Sequence, residues 1–312
     1  MPSSPALFVA LTFVALAGCQ GKPTPPPGLP AKANTTPVVF PELGPGRVVE
    51  PGVTVHEVTI NRGGVPMKVW VYLPQKPVEK VPAEKLALVL VPPAGSTLCV
   101  GMALAEGDRP EHYPYVKAGF AVVAFEIDGH VANTPEASDA ALVNCSREFR
   151  DARAGLDNAK AALDFALAKV PTLDTERVYV AGHSSAATLA LFVAEFEPRV
   201  KACAAYAPCP DVASLLAPFT PDLESDLRGF GEFLKISSPQ MHAEQLNCPL
   251  FLFYAEDDTA VRVRQSVNFY ERVRRTNSRV TLVKTATGGH YNSMIREGVP
   301  KAIALLKALP KA

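Results

Sequence analysis

From residue 53 onward the hydrophobic and polar positions fall into three kinds of run. Residues 53–60 and 67–73 alternate with a period of two, the pattern of half-buried strands, and Gly63-Gly64 between them predicts a hairpin. Residues 86–91, 120–125, 178–181, 200–206, 250–254 and 280–284 are apolar with little or no alternation, as a parallel sheet covered on both faces requires. Between them lie helical patterns over residues 147–169, 184–196, 262–275 and 299–309. Strand and helix in repeated succession predict an α/β fold: a doubly wound, mostly parallel sheet with an antiparallel N-terminal hairpin. In such sheets reactive groups gather where the strands end, so those ends are the places to look for chemistry.

Upstream the pattern changes. Residues 6–17 form an apolar run broken only by Thr12. Twelve residues are too few for a bilayer-spanning helix, which needs about 20. The run leads straight into Leu16-Ala17-Gly18-Cys19, which resembles the lipobox of bacterial lipoproteins. The resemblance implies that residues 1–19 are a signal peptide, that Cys19 is the lipidation site, and that the protein is extracytoplasmic and anchored to a membrane by lipid. An ordinary cleaved secretory signal is the alternative, and the first five residues carry no Lys or Arg. Residues 20–51 contain nine of the chain's 30 prolines and no apolar periodicity, which predicts an extended spacer. Residues 52–312 are left as the folded domain.

Charge removes one class of partner. Lys+Arg and Asp+Glu both number 31, so there is no basic surplus to attract nucleic acid. Of six cysteines, assigning Cys19 to lipid leaves five, so at least one is unpaired. Cys99 and Cys145 each follow a strand and are the expected disulfide pair, while Cys203, Cys209 and Cys248 lie in or beside apolar runs and suit buried thiols. No Cys-x-x-Cys or His-x-x-x-His spacing suggests a metal site.

The chemistry concentrates at three strand ends. The run 178–181 passes through Gly182-His183-Ser184-Ser185-Ala186 directly into a helical pattern. This is the strand-turn-helix setting of a nucleophile elbow, where a tight turn lifts a serine clear of the sheet and needs small residues two positions to either side. The segment resembles the α/β-hydrolase superfamily, with Ala186 in place of the usual last Gly. In that superfamily the chain order is serine, acid, histidine, which makes His290, preceded by Gly288-Gly289, the candidate base. His242 lies in a polar stretch and reads as a surface residue, and His183 as a packing or supporting one.

The strand at 250–254 ends in Glu256-Asp257-Asp258-Thr259-Ala260-Val261, which resembles the Gly-x-x-Asp-x-x-Val loop of prolyl-oligopeptidase-like and dienelactone-hydrolase-like enzymes. The resemblance places the acid at Asp258, with Asp257 the alternative. Two N–H donors are then needed for an oxyanion: Ser185 after the nucleophile, and Ala94 or Gly95 from Pro92-Pro93-Ala94-Gly95-Ser96, where relatives read His-Gly-x-Gly and where proline itself has no N–H to give.

These residues imply a serine hydrolase with Ser184, Asp258 and His290 as catalytic residues, without a cofactor, acting on small esters or on short peptides. Small esters are favoured over S9-type peptide cleavage, because S9 peptidases usually carry a large gating domain ahead of the catalytic one. A catalytically silent hydrolase fold that binds ligands at a surface is the reading from another class, motivated by the Pro-Pro loop. Residues 96–114, 129–146 and 208–246 read as the loop-rich walls of the pocket, with Asp211, Asp222, Glu224 and Asp226 as a solvated face.

Overall fold

The structure is a computed structural model that describes residues 39–75, 85–130 and 138–310. The expected signal segment with Cys19, and most of the proline-rich stretch, lie outside the described residues.

Among the described residues nine strands make one sheet: β1 (Arg47–Glu50), β2 (Val53–Arg62), β3 (Val65–Pro74), β4 (Leu86–Val91), β5 (Ala121–Phe125), β6 (Leu173–His183), β7 (Val200–Tyr206), β8 (Leu250–Ala255) and β9 (Val280–Thr285). Their spatial order is β1-β2-β3-β5-β4-β6-β7-β8-β9. The pairs β1·β2, β2·β3 and β3·β5 are antiparallel, and every pair from β5·β4 to β8·β9 is parallel. The helices among the described residues are α1 (Arg109–Lys117), α2 (Asp139–Asp151), α3 (Leu156–Lys169), α4 (Ser185–Phe196), α5 (Val212–Leu216), α6 (Thr220–Asp226), α7 (Phe230–Ile236), α8 (Val263–Val273) and α9 (Val299–Ala308).

The unbroken apolar runs follow from the layering. Successive strand residues point to opposite faces, and here both faces are covered. Leu88, Leu90, Val123, Phe125, Val178, Val180, Leu250 and Leu252 belong to the core shared with Leu163 of α3, Ala187 and Leu191 of α4 and Phe269 of α8. Val89, Val91, Val122, Tyr179, Ala204, Phe251 and Phe253 belong to the core on the other face, with Val116 of α1 and Ala302 and Leu306 of α9. Each of these large side chains gains roughly 1.5–3 kcal/mol on leaving water. Gly63-Gly64 turns the β2·β3 hairpin, both at positive φ.

Four local expectations are corrected. The helix expected over 147–169 is two helices, broken where Arg153, Ala154 and Gly155 take φ of 53°, 55° and 87°. The composition stays helical through the break, so periodicity does not register it. Gly155 marks it, because a Cβ there would lie 2.9 Å from Leu189. Cys99 and Cys145 are free thiols: the Cys99 sulfur sits 3.2 Å from the Thr97 hydroxyl and the Cys145 thiol donates to the His130 carbonyl at 3.6 Å. Residues 208–246 are not mainly loop but hold α5, α6 and α7, each too short to show a period. His242 is half-buried against Phe192 and Phe196, with Nε2 2.7 Å from the Ile236 carbonyl.

The fold also reaches further upstream than residue 52. β1 pairs with β2, Phe40 packs edge-on against Phe165, and Glu42 pairs with Lys169. Cys203, Cys209 and Cys248 are buried thiols, and Asp222, Glu224 and Asp226 stand in solvent.

Candidate active site

The elbow forms as its sequence requires. Ser184 follows β6 with φ 58° and ψ −122°, a conformation that costs a non-glycine residue of order 1–3 kcal/mol and persists only where the surroundings impose it. They do so here. The Ser184 N–H donates to the Tyr206 carbonyl at 2.9 Å, and its own carbonyl accepts from the Thr188 N–H at 3.1 Å and the Thr188 hydroxyl at 3.3 Å. Gly182 is obligatory, since a Cβ there would stand 2.4 Å from the Ala186 backbone. That contact is with main chain, so Ala at 186 is tolerated where Gly is usual.

The two adjacent carboxylates after β8 divide their work. Asp258 turns inward, its side chain 1% exposed, and accepts from His290 Nδ1 at 2.7 Å. Its other oxygen accepts the Ala260 and Val261 N–H groups at 2.8 and 3.0 Å. Because a carboxylate can only accept here, the His290 proton resides on Nδ1 and the Nε2 lone pair is left free. Asp257 instead accepts from the Gly288 and Gly289 N–H groups at 3.0 and 2.8 Å, and so pins the loop that carries His290. This loop-clamping role is one that sequence reasoning missed, although an Asp-Asp pair facing a Gly-Gly pair was the available signal. Gly288 and Gly289 lie at φ 116° and 62°, where glycine is favoured.

His290 lies over the elbow. Its ring is 4.4 Å from that of His183, and His183 Nε2 donates to the His290 carbonyl at 3.0 Å. Among the described residues no hydrogen bond joins the Ser184 hydroxyl to the imidazole of His290. Such contacts are often long in a free enzyme and tighten once substrate is bound.

The loop after β4 is tied to the elbow by an unexpected side chain. The Gly95 and Ser96 N–H groups both donate to the Ser185 hydroxyl oxygen, each at 3.0 Å. The Gly95 amide therefore already has a partner. Among the described residues, the Ala94 amide has none within the protein. The Ser185 amide lies at the first position of α4, where helical N–H groups have no intrahelical acceptor.

Next to this loop opens a narrow crevice lined by Ser96, Leu98, Ile127, Phe149, Leu189 and Phe192 among others, with a volume of about 30 Å³. Two of the three segments read as pocket walls contribute to it, through Leu98 and Val212. Among the described residues no group of three or more His, Cys, Asp or Glu is arranged to hold a metal ion.

Residues 110–308 match the family model described as the prolyl oligopeptidase family. None of the curated proteins matches the chain. Among solved structures, a cold-adapted esterase from an Arctic intertidal metagenomic library superposes with a TM-score of 0.60 at 17% identity, over 87% of this chain and 100% of that one. Acetyl xylan esterase from Paenibacillus sp. R4 gives 0.64 at 15% identity, over 89% of this chain and 90% of that one. Acylaminoacyl peptidase from Pyrococcus horikoshii gives 0.58 at 16% identity, over 82% of this chain but 40% of that one. At these identities the likeness is one of fold.

Proposed function

The chain belongs to the prolyl oligopeptidase family and is a serine hydrolase of the α/β-hydrolase fold, and from that premise we propose that it cleaves small carboxylic esters with Ser184 as nucleophile, His290 as base and Asp258 as the acid that orients it. The observation that carries this reading is the 2.7 Å bond from His290 Nδ1 to a buried Asp258, beside a serine held at φ 58° on a strand-to-helix turn. With its proton on Nδ1, His290 takes the Ser184 proton at Nε2 as Oγ attacks the ester carbonyl. Asp258 stabilises the imidazolium so formed. The Ala94 and Ser185 amides hold the developing oxyanion. Collapse of the tetrahedral species expels the alcohol, which leaves with the proton from His290 and an acyl group on Ser184. Water deprotonated by His290 then releases the acid and frees the serine.

Two observations favour esters. The crevice beside the oxyanion loop is apolar and has room for about two water molecules, which suits a short acyl chain. The solved structures that this chain covers nearly end to end carry the names of esterases. Peptide cleavage is the second reading, favoured by the family match itself. Assaying p-nitrophenyl esters of increasing chain length beside aminoacyl-nitroanilides separates the two: acetate and propionate esters are the expected best substrates, and turnover of anilides alone would overturn the ester reading. A fluorophosphonate probe is expected to label the wild type and not Ser184→Ala. Equal labelling of both would remove Ser184 from the chemistry.

For the upstream segment we propose lipid attachment at Cys19 and an extracytoplasmic location. Radiolabelled palmitate incorporation that is lost in Cys19→Ala tests it.

A further inference from the structure

His290 is held from two sides. The loop after β8 holds it through Asp258 on the ring and Asp257 on the preceding amides. From the other side, the bond between His183 Nε2 and the His290 carbonyl is the one hydrogen bond among the described residues that joins the elbow, residues 182–186, directly to the loop 287–290. A carbonyl can only accept, so Nε2 of His183 carries a proton, and Nδ1 is turned to Glu111 Oε1 at 3.4 Å, a contact that is attractive with one further proton held between ring and carboxylate. Both side chains are sheltered, 6% and 13% exposed. Glu111 rises from α1, beside the small cavity under Gly182 that Tyr115 and Tyr206 also line.

Resting on the reading of Ser184 and His290 above, the geometry points to Glu111 and His183 as a positioning pair: Glu111 orients the His183 ring, and His183 fixes the backbone of His290 at the height over the elbow from which Nε2 can reach the serine. The physical need is plain. Among the described residues no side-chain hydrogen bond joins Ser184 to His290, so the distance between them is set by backbone. The elbow is rigid, since its φ and ψ are imposed, whereas the loop 287–290 contains two glycines at positive φ and takes its position from whatever it is tied to. Asp257 and Asp258 tie it to the end of β8, two strands away from β6. Only His183 measures its position against the serine's own turn. Misplacing a base by about 1 Å can cost on the order of a hundredfold in rate.

The test uses the full chain, with the rate of fluorophosphonate labelling of Ser184 and kcat and KM on p-nitrophenyl acetate. His183→Ala is expected to slow labelling and kcat by about tenfold or more while KM stays within about threefold, because the ester pocket is untouched. His183→Gln keeps an amide N–H where Nε2 stood and is expected to recover most of the loss. Glu111→Ala is expected to be slow and Glu111→Gln close to wild type. Thermal melting identifies any variant that does not fold, and the Gln variants, which preserve shape, decide the matter if an Ala variant fails. The proposal is overturned if folded His183→Ala labels within twofold of the wild type, if His183→Gln is as slow as His183→Ala, or if Glu111→Ala labels at the wild-type rate. An unlabelled wild type would instead strike down the assignment of Ser184, and this inference with it.

Discussion

Helix α4 buries polar groups at both of its ends, and the two ends treat them in opposite ways. At the start, the Ser185 hydroxyl accepts two backbone N–H groups, and the Thr188 hydroxyl accepts one from Cys209 while donating to the Ser184 carbonyl. At the end, Glu195 is 2% exposed and, among the described residues, neither carboxylate oxygen has a hydrogen-bond partner. Desolvation raises its pKa well above the usual carboxylate range, and Glu244 adds to the rise. Burial alone thus distinguishes nothing. What marks the first end as a site is convergence: each polar atom fixes another, and the chain ends up strained in one direction at Ser184.

That contrast can be broken in order of expected effect. Ser184→Ala should abolish turnover, a loss on the order of a millionfold where a full triad operates, read in ester hydrolysis after removal of contaminating hydrolases. Residual activity within a hundredfold of wild type would mean that the elbow is not the seat of reaction. Asp258→Asn should leave the fold intact and cost about 10⁴ in kcat, since an amide facing Nδ1 no longer selects the Nδ1–H tautomer of His290. Ser185→Ala leaves the Gly95 and Ser96 amides without their acceptor and frees the loop that bears Ala94. A loss of about tenfold in kcat with little change in KM is expected, and unchanged kinetics would show that the Pro92-Pro93 pair holds that loop by itself.

The smallest effect belongs to the other end of the helix and should spare activity altogether. Because the folded state holds the Glu195 proton more tightly than the unfolded chain does, the stability linked to this group is largest in acid and declines as pH rises above the ordinary carboxylate range. Glu195→Gln, which mimics the protonated form, should therefore melt with the wild type near pH 4 and a few degrees above it near pH 8. Identical melting curves at both values would place an unseen partner beside that carboxylate.

Much of this was legible in the sequence because the responsible physics is local. The six apolar strands, the elbow and the helix after it are each written in consecutive residues, and the hairpin in Gly63-Gly64. The pairing of His290 with Asp258 came from a resemblance, since residues 32 apart carry no local sign of contact. The break at residues 152–155 escaped because helical composition runs through it. The disulfide expected between Cys99 and Cys145 did not form because position after a strand says nothing about the direction of a thiol. Glu111 was hidden in a segment read as loop, and its partner His183 became informative only once both of its ring nitrogens could be matched to a partner.

The contacts of Phe40 with Phe165 and of Glu42 with Lys169 fix where the described chain begins. Those contacts grip the last turns of α3, just before β6 begins, whereas Ser184 stands just after β6 ends. The described chain therefore begins, at residue 39, on the side of the sheet opposite the turn that carries Ser184. A pull applied at that point would turn the Ser184 end of the sheet outward, toward arriving solutes.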